Sequence, residues 1–118
     1  MMIYLASPYT TDCQWTRDER AYLACKASAI LFNMGQPVFS PIANSHYIER
    51  TGYFHATGEF WLPYDIKFMK ICDVLYVLTL DGWEDSEGIK KEIDYAIETD
   101  MPIVYVKLDG DNVVKVEI

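Results

Sequence analysis

The run VLYVLTL at residues 74–80 is apolar at nearly every position. A strand with one wet face alternates apolar and polar residues. An unbroken run rich in branched and large side chains belongs to a parallel strand covered on both faces. A chain carrying such a strand must supply helices to two sides of a sheet, and the remaining sequence provides them. MIYLA (2–6) and PVFS (37–40) read as short strands ended by Ser7-Pro8 and Pro41, and PIVYVK (102–107) as a further strand. VVKVEI (113–118), after the turn Asp109-Gly110-Asp111, reads as an edge strand or a docked tail. Between them, 16–35, 61–73 and 86–100 carry helical periodicity. Tyr22, Leu23, Cys25, Ala27, Ala29, Ile30 and Phe32 supply the apolar positions of the first helix, and Gly35 stops it. Pro63 falls in the first turn of the second, where proline is tolerated. Residues 41–58 read as a loop with at most one helical turn.

Strand and helix alternating in this order predict a flavodoxin- or Rossmann-like three-layer α/β sandwich with a mainly parallel sheet, one domain over 1–118. About half the residues (51%) are hydrophobic, enough for a core. A chain this short buries only about two-thirds of its unfolded surface, so a homodimer or larger assembly is expected. The net charge of -8 argues against duplex nucleic acid and anionic membranes, which require basic patches. Cys13, Cys25 and Cys72 form no C-x-x-C pair, and His46 and His55 stand nine apart. No metal spacing is present, no cofactor is expected, and the thiols read as reduced and partly in the core. The start, MMIYLASPYT, has no basic segment followed by a long apolar run, so a cytoplasmic location is expected, with neither export nor a membrane span.

Ligands of such sheets bind beyond the carboxyl ends of the strands. Three segments converge there: ASPYT with Ser7 and Tyr9, SPIANSH with Ser40 and His46, and DGWEDSEG with Ser86 and Gly88. On the helix from 86, Ile89, Ile93, Ala96 and Ile97 form the apolar stripe, and Glu92 stands at its edge between Gly88 and Ala96. Helical side chains lean toward the N-terminus, and Gly88 leaves the space there open, so Glu92 points into the crevice. Glu87 and Lys91 are spaced as a surface ion pair. Ser86 or Asp85 caps the helix, and the N–H groups of its first turn are able to hold a phosphate. Asp65 is an acid within an aromatic and apolar helix, either a first-turn residue favoured by the helix dipole or a group with a site role. Tyr4, inside the first strand, needs a partner for its hydroxyl. Tyr47, Tyr53, Phe54, Phe60 and Trp61, with His46 and His55, form either a satellite core or a wall for a planar base.

With these features placed, the chain resembles the nucleoside 2-deoxyribosyltransferase family, which includes the 2′-deoxynucleoside 5′-phosphate N-hydrolases. The resemblance rests on IYLASPYT, on D-x7-D-V-L-Y-V at 65–77, on S-x-G-x-x-x-E-I-x-Y-A at 86–96 and on D-M-P-I-V-Y-V at 100–106. It is strongest to a small bacterial and phage branch known as a domain of unknown function, through ASPY, FSPI and GW-x-DS-x-GI. The resemblance implies that Glu92 is a nucleophile attacking the anomeric carbon. It implies that Asp65 assists departure of the base by proton transfer and that Tyr4 orients the nucleophile. It implies a nucleoside or nucleotide as small-molecule partner. Ser86 stands where the transferases carry an Asp for the sugar 5′-hydroxyl and the nucleotide hydrolases a Ser for the 5′-phosphate, which favours a monophosphate. Lys90, Asp94 and the glycine-free Ala6-Ser7-Pro8-Tyr9 loop depart from the family pattern and narrow or recharge the pocket. Two further readings are a nucleotide-binding sensor module that has lost turnover and, ranked lower, a nicotinamide-releasing dinucleotide hydrolase.

Overall fold

The computed structural model describes residues 1–118. Its element order is β1 (Ile3–Ala6), α1 (Gln14–Asn33), β2 (Val38–Phe39), α2 (Pro41–Arg50), α3 (Gly58–Met69), β3 (Val74–Leu78), a 3-10 turn (Trp83–Asp85), α4 (Glu87–Glu98), β4 (Ile103–Asp109) and β5 (Asn112–Lys115). The sheet runs β2-β1-β3-β4-β5, parallel except for β5, which returns along β4 through a turn at Gly110 (φ 59°). The α/β three-layer sandwich expected from the sequence is the observed fold. No helix is long and apolar enough to cross a membrane.

The continuous apolar runs work as their pattern demands. On one face Tyr4, Ala6, Leu75 and Val77 pack with Met69 of α3 and Ile89 and Ala96 of α4. On the other, Ile3, Leu5, Val74, Leu78 and Val106 meet Ala27 and Leu31 of α1. The chain leaves β1 to one side toward β2, and its other neighbour is β3. The topological switch point therefore lies at the carboxyl ends of β1 and β3.

Several local expectations are corrected. The buried row of α1 is Ala21, Ala24, Ala27, Ser28 and Leu31, while Tyr22, Cys25 and Phe32 are exposed. Small side chains let the helix axis lie close over the sheet, and the larger residues turn outward. The segment 41–50 is a full helix, not a loop. Ser40 is its N-cap, accepting from the Ala43 N–H at 3.1 Å, and Pro41 occupies the first turn. Proline here opens a helix as well as ending a strand. The next helix begins at Gly58, capped by Thr57, so Pro63 lies inside it and not in its first turn. Cys13 and Cys25 are exposed rather than core residues, and Cys72 is half-buried. On α4, Glu92 is buried with Ile89 and Ala96, whereas Ile97 is exposed. Glu87 pairs with Lys90 at 3.5 Å, one residue nearer than the expected Lys91.

Candidate active site

Tyr4 and Glu92 meet on the α3–α4 side of the sheet. The Tyr4 hydroxyl donates a short hydrogen bond to Glu92 Oε2, with Tyr4 fully buried and Glu92 5% exposed. Strand alternation turns Tyr4 toward this face, and the i±4 row on α4 brings Glu92 over it. Burial pushes the Glu92 carboxyl up to about 8; the Tyr4 hydrogen bond works against that rise, and the nearby charge of Asp65 adds to it. Asp65, half-buried on α3, is itself pushed up to about 7 by burial. Burial, then Glu92 and Asp65, raise the Tyr4 hydroxyl well above the usual phenol range. The helix start at Gly58 puts Asp65 past the first turn, so a dipole-favoured first-turn role does not apply to it. Two carboxyls and a phenol thus share one desolvated locus, built from β1, α3 and α4. Chemically, such a pair is able to share one proton near neutral pH; Asp65 ionises before Glu92, so the resting proton lies on Glu92 and has to pass to Asp65 before Glu92 is free to act as a carboxylate.

The α4 start lies one turn away. Ser86 is the N-cap, its Oγ accepting from the Ile89 N–H at 3.2 Å. A side chain added at Gly88 would meet nothing nearer than Ser86 Oγ at 3.9 Å, so the space over the first turn is open. The dipole and first-turn N–H groups of this 12-residue helix favour an anion there.

At the end of β1, Ser7 is 5% exposed, and its Oγ is the buried side-chain polar atom with no hydrogen-bond partner. Tyr9 is tied differently. Its hydroxyl is 2.9 Å from His46 Nδ1, and His46 Nε2 is 3.3 Å from Asp18, which also contacts Arg50 and Gln14. Burial raises the Tyr9 hydroxyl above its ordinary range. His46 is 4% exposed with both ring nitrogens engaged by protein groups. Ser40 is committed to capping α2.

The aromatic residues form a continuous array. Tyr4 contacts Phe39, Phe39 stacks on Phe68 at 4.1 Å, and Tyr64, Trp61, Phe60 and Phe54 extend the series outward. The Trp61 indole N–H donates to Glu49 at 2.9 Å. Phe54 and Phe60 are exposed at the outer end. The array is internally packed toward Tyr4 and open at its rim; of the aromatic group read from the sequence it takes in Phe54, Phe60 and Trp61, while Tyr47 packs against His46 and Tyr53 is exposed.

Two surface hollows lie elsewhere. One of about 450 Å³ sits beside Arg20 and Lys107 on the α1 side. The other, about 350 Å³, lies among Cys72, Asp73 and Thr99. Neither is lined by Tyr4, Asp65 or Glu92. Three partners of the predicted residues went unremarked in the sequence: Asp18, Glu49 and Arg20. The first two carry side-chain bonds to His46 and Trp61. Only a placed α2 would have brought them into view.

A solved structure of a 2-deoxyribosyltransferase from the psychrotolerant bacterium Bacillus psychrosaccharolyticus has the same fold, with a TM-score of 0.65 and 23% identity over 93% of this chain and 74% of that one. That enzyme is described as a biocatalyst for the synthesis of nucleosides. No curated protein matches the sequence. The model of the family described as Domain of unknown function (DUF1937) matches residues 1–108. The chain belongs to that family.

Proposed function

We propose that this protein cleaves the N-glycosidic bond of a nucleoside or a (deoxy)nucleoside 5′-monophosphate, by hydrolysis or by transfer to a second base. The observation that carries the reading is the buried Tyr4–Glu92 pair beside Asp65. Once the proton shared by the two carboxyls has passed from Glu92 to Asp65, the ionised Glu92 attacks the anomeric carbon. A carboxylate oxygen–carbon bond forms, the carbon–nitrogen bond breaks, and its electron pair leaves with the base. Asp65 delivers a proton to the departing base, and water or a second base then releases the sugar from Glu92. Tyr4 fixes the carboxylate by donating to one oxygen and leaves the other to react. Ser7, Tyr9, Trp61, Ser86 and Gly88 are proposed to surround the substrate, with His46 holding Tyr9 and Ser40 holding the α2 start behind them. Ser86 and the α4 start would take a 5′-phosphate, and the aromatic array would flank the base.

A homodimer or larger assembly belongs to the same proposal, since Tyr47, Tyr53 and Phe60 are 74%, 96% and 45% exposed. Sedimentation as a monomer at micromolar concentration would remove it.

A second reading, a nucleotide-binding module without turnover, is favoured by one observation. Burial holds Glu92 protonated at neutral pH, and a neutral carboxyl is a poor nucleophile. Incubation with a panel of deoxynucleosides and their monophosphates, with and without an acceptor base, separates the two. Release of free base supports cleavage, whereas a ligand retained intact supports the binding module.

A further inference from the structure

Two loops flank the switch point, one after β1 and one after β3, and a single side chain from α1 reaches both. Arg20 Nη1 donates to the carbonyls of Tyr9 at 3.4 Å and Thr10 at 3.3 Å, while Nη2 donates to the carbonyl of Asp81 at 3.1 Å. We infer that Arg20 is a positioning residue that clamps these loops together, so that the two walls of the crevice hold one fixed separation. The inference rests on the proposed reading of that crevice as the substrate site.

The contacts suit a guanidinium and little else. Its planar fork of donors serves three carbonyls at once, and its charge strengthens each bond. An ammonium on a Lys stem reaches the same region as a point charge and cannot span both loops. The backbone at residue 82 is matched to the fork. Gly82 has φ 90°, and an added Cβ would fall 2.5 Å from Arg20 Nη2. A side chain there would push the guanidinium off Asp81.

From Asp81 the constraint continues to α4. The 3-10 turn is closed by Trp83 N–H to Leu80 at 3.0 Å, Asp85 N–H to Gly82 at 3.2 Å and Ser86 N–H to Trp83 at 3.2 Å, which delivers Ser86 to its capping position. On the opposite wall, Tyr9 is fixed at its hydroxyl by His46 and at its carbonyl by Arg20. Arg20 therefore sets the spacing between the Ser7–Tyr9 wall and the Ser86–Gly88 wall. Tyr4 and Glu92, held by β1 and α4 in the core, do not depend on it.

The test compares wild type, Arg20→Lys and Arg20→Ala by amide hydrogen exchange, limited proteolysis and steady-state kinetics, with methylguanidinium added to Arg20→Ala. The expected result is exchange at least about tenfold faster in 80–86, where the Trp83, Asp85 and Ser86 N–H groups are hydrogen-bonded, and limited proteolytic cleavage at least about tenfold faster within 9–12, the scale of losing charge-assisted hydrogen bonds, with β1 and β3 unchanged. Lys should fail to restore protection, and methylguanidinium should restore it in part. In turnover, KM should rise about tenfold while kcat stays within about threefold, as for loss of binding geometry with the reacting groups intact. The clamp is overturned if only one loop responds, if Lys restores both, if the core strands exchange faster as well, or if kcat falls at constant KM. Should wild type release no base from any substrate, the proposed activity fails, and the exchange and cleavage results still decide the clamp.

Discussion

Tyr4 and Glu92, 88 positions apart in the chain, are joined hydroxyl to carboxyl inside the protein. That bond favours the ionised carboxyl and opposes the rise that burial imposes. Removing the hydroxyl leaves the effect of burial unopposed. Tyr4→Phe is therefore expected to raise the Glu92 pKa beyond its present value of about 8. The onset of activity on the acid side should move to higher pH, and a carboxyl-carbon NMR titration should report the same shift without turnover. An unchanged titration would separate the two groups functionally.

Stability should carry the signature of the buried carboxyls. Glu92 has an ordinary value of 4.5 and is held near 8 when folded, so between those values the folded state keeps a proton that the unfolded chain releases. Stability contributed by that proton is full below the unfolded value and is lost as pH rises toward the folded one. Asp65 acts in the same sense between 3.8 and about 7. Glu92→Gln retains an acceptor for Tyr4 without the charge. Its melting temperature should exceed wild type by several degrees at pH 8.5 and by much less at pH 5. A constant difference across pH would place the carboxyl in solvent.

Asp65 raises Glu92 through its charge, so Asp65→Asn should lower the Glu92 value and move the acid limb of activity downward. It should also cost roughly a hundredfold or more in turnover for bases that leave poorly, the usual worth of a general acid, and much less for bases that leave easily. An equal loss for both kinds of base would give Asp65 a role other than proton transfer.

Ser86 serves two purposes in this account, and its variants separate them. Ser86→Ala removes the cap bond to Ile89 and should cost about 1 kcal/mol of stability. It should also narrow the preference for monophosphates over nucleosides by roughly 1 to 2 kcal/mol, the scale of a hydrogen bond to a charged group. Ser86→Thr keeps cap and hydroxyl and should retain the preference. Equal binding of nucleoside and monophosphate by wild type would end the phosphate assignment and leave Glu92 unaffected.

What was legible in the sequence follows from which physical signal each element carries. Strand β3 announced itself because burial on both faces removes every polar residue from its run. Glu92 was legible because helical spacing set a carboxylate between Gly88 and Ala96. Helix α2 was hidden because Ser40-Pro41 reads equally as the end of a strand and as a cap followed by a first-turn proline. The face of α1 was hidden because apolar residues surround it, and only the sheet selects the small row. Arg20 was illegible for a different reason. Its partners are backbone carbonyls, which every residue possesses, so nothing in the composition of either loop marks them.

The central claim is that Glu92 attacks a sugar carbon, and base release by wild type and Glu92→Gln, followed by chromatography on matched deoxynucleosides and monophosphates, tests it directly. Glu92→Gln should remain folded, bind substrate and lose at least roughly a hundredfold in turnover, as for removal of a nucleophile. Wild type should also yield a sugar–protein adduct, detectable by mass at the peptide containing Glu92. A Glu92→Gln protein that releases base at the wild-type rate would contradict the account.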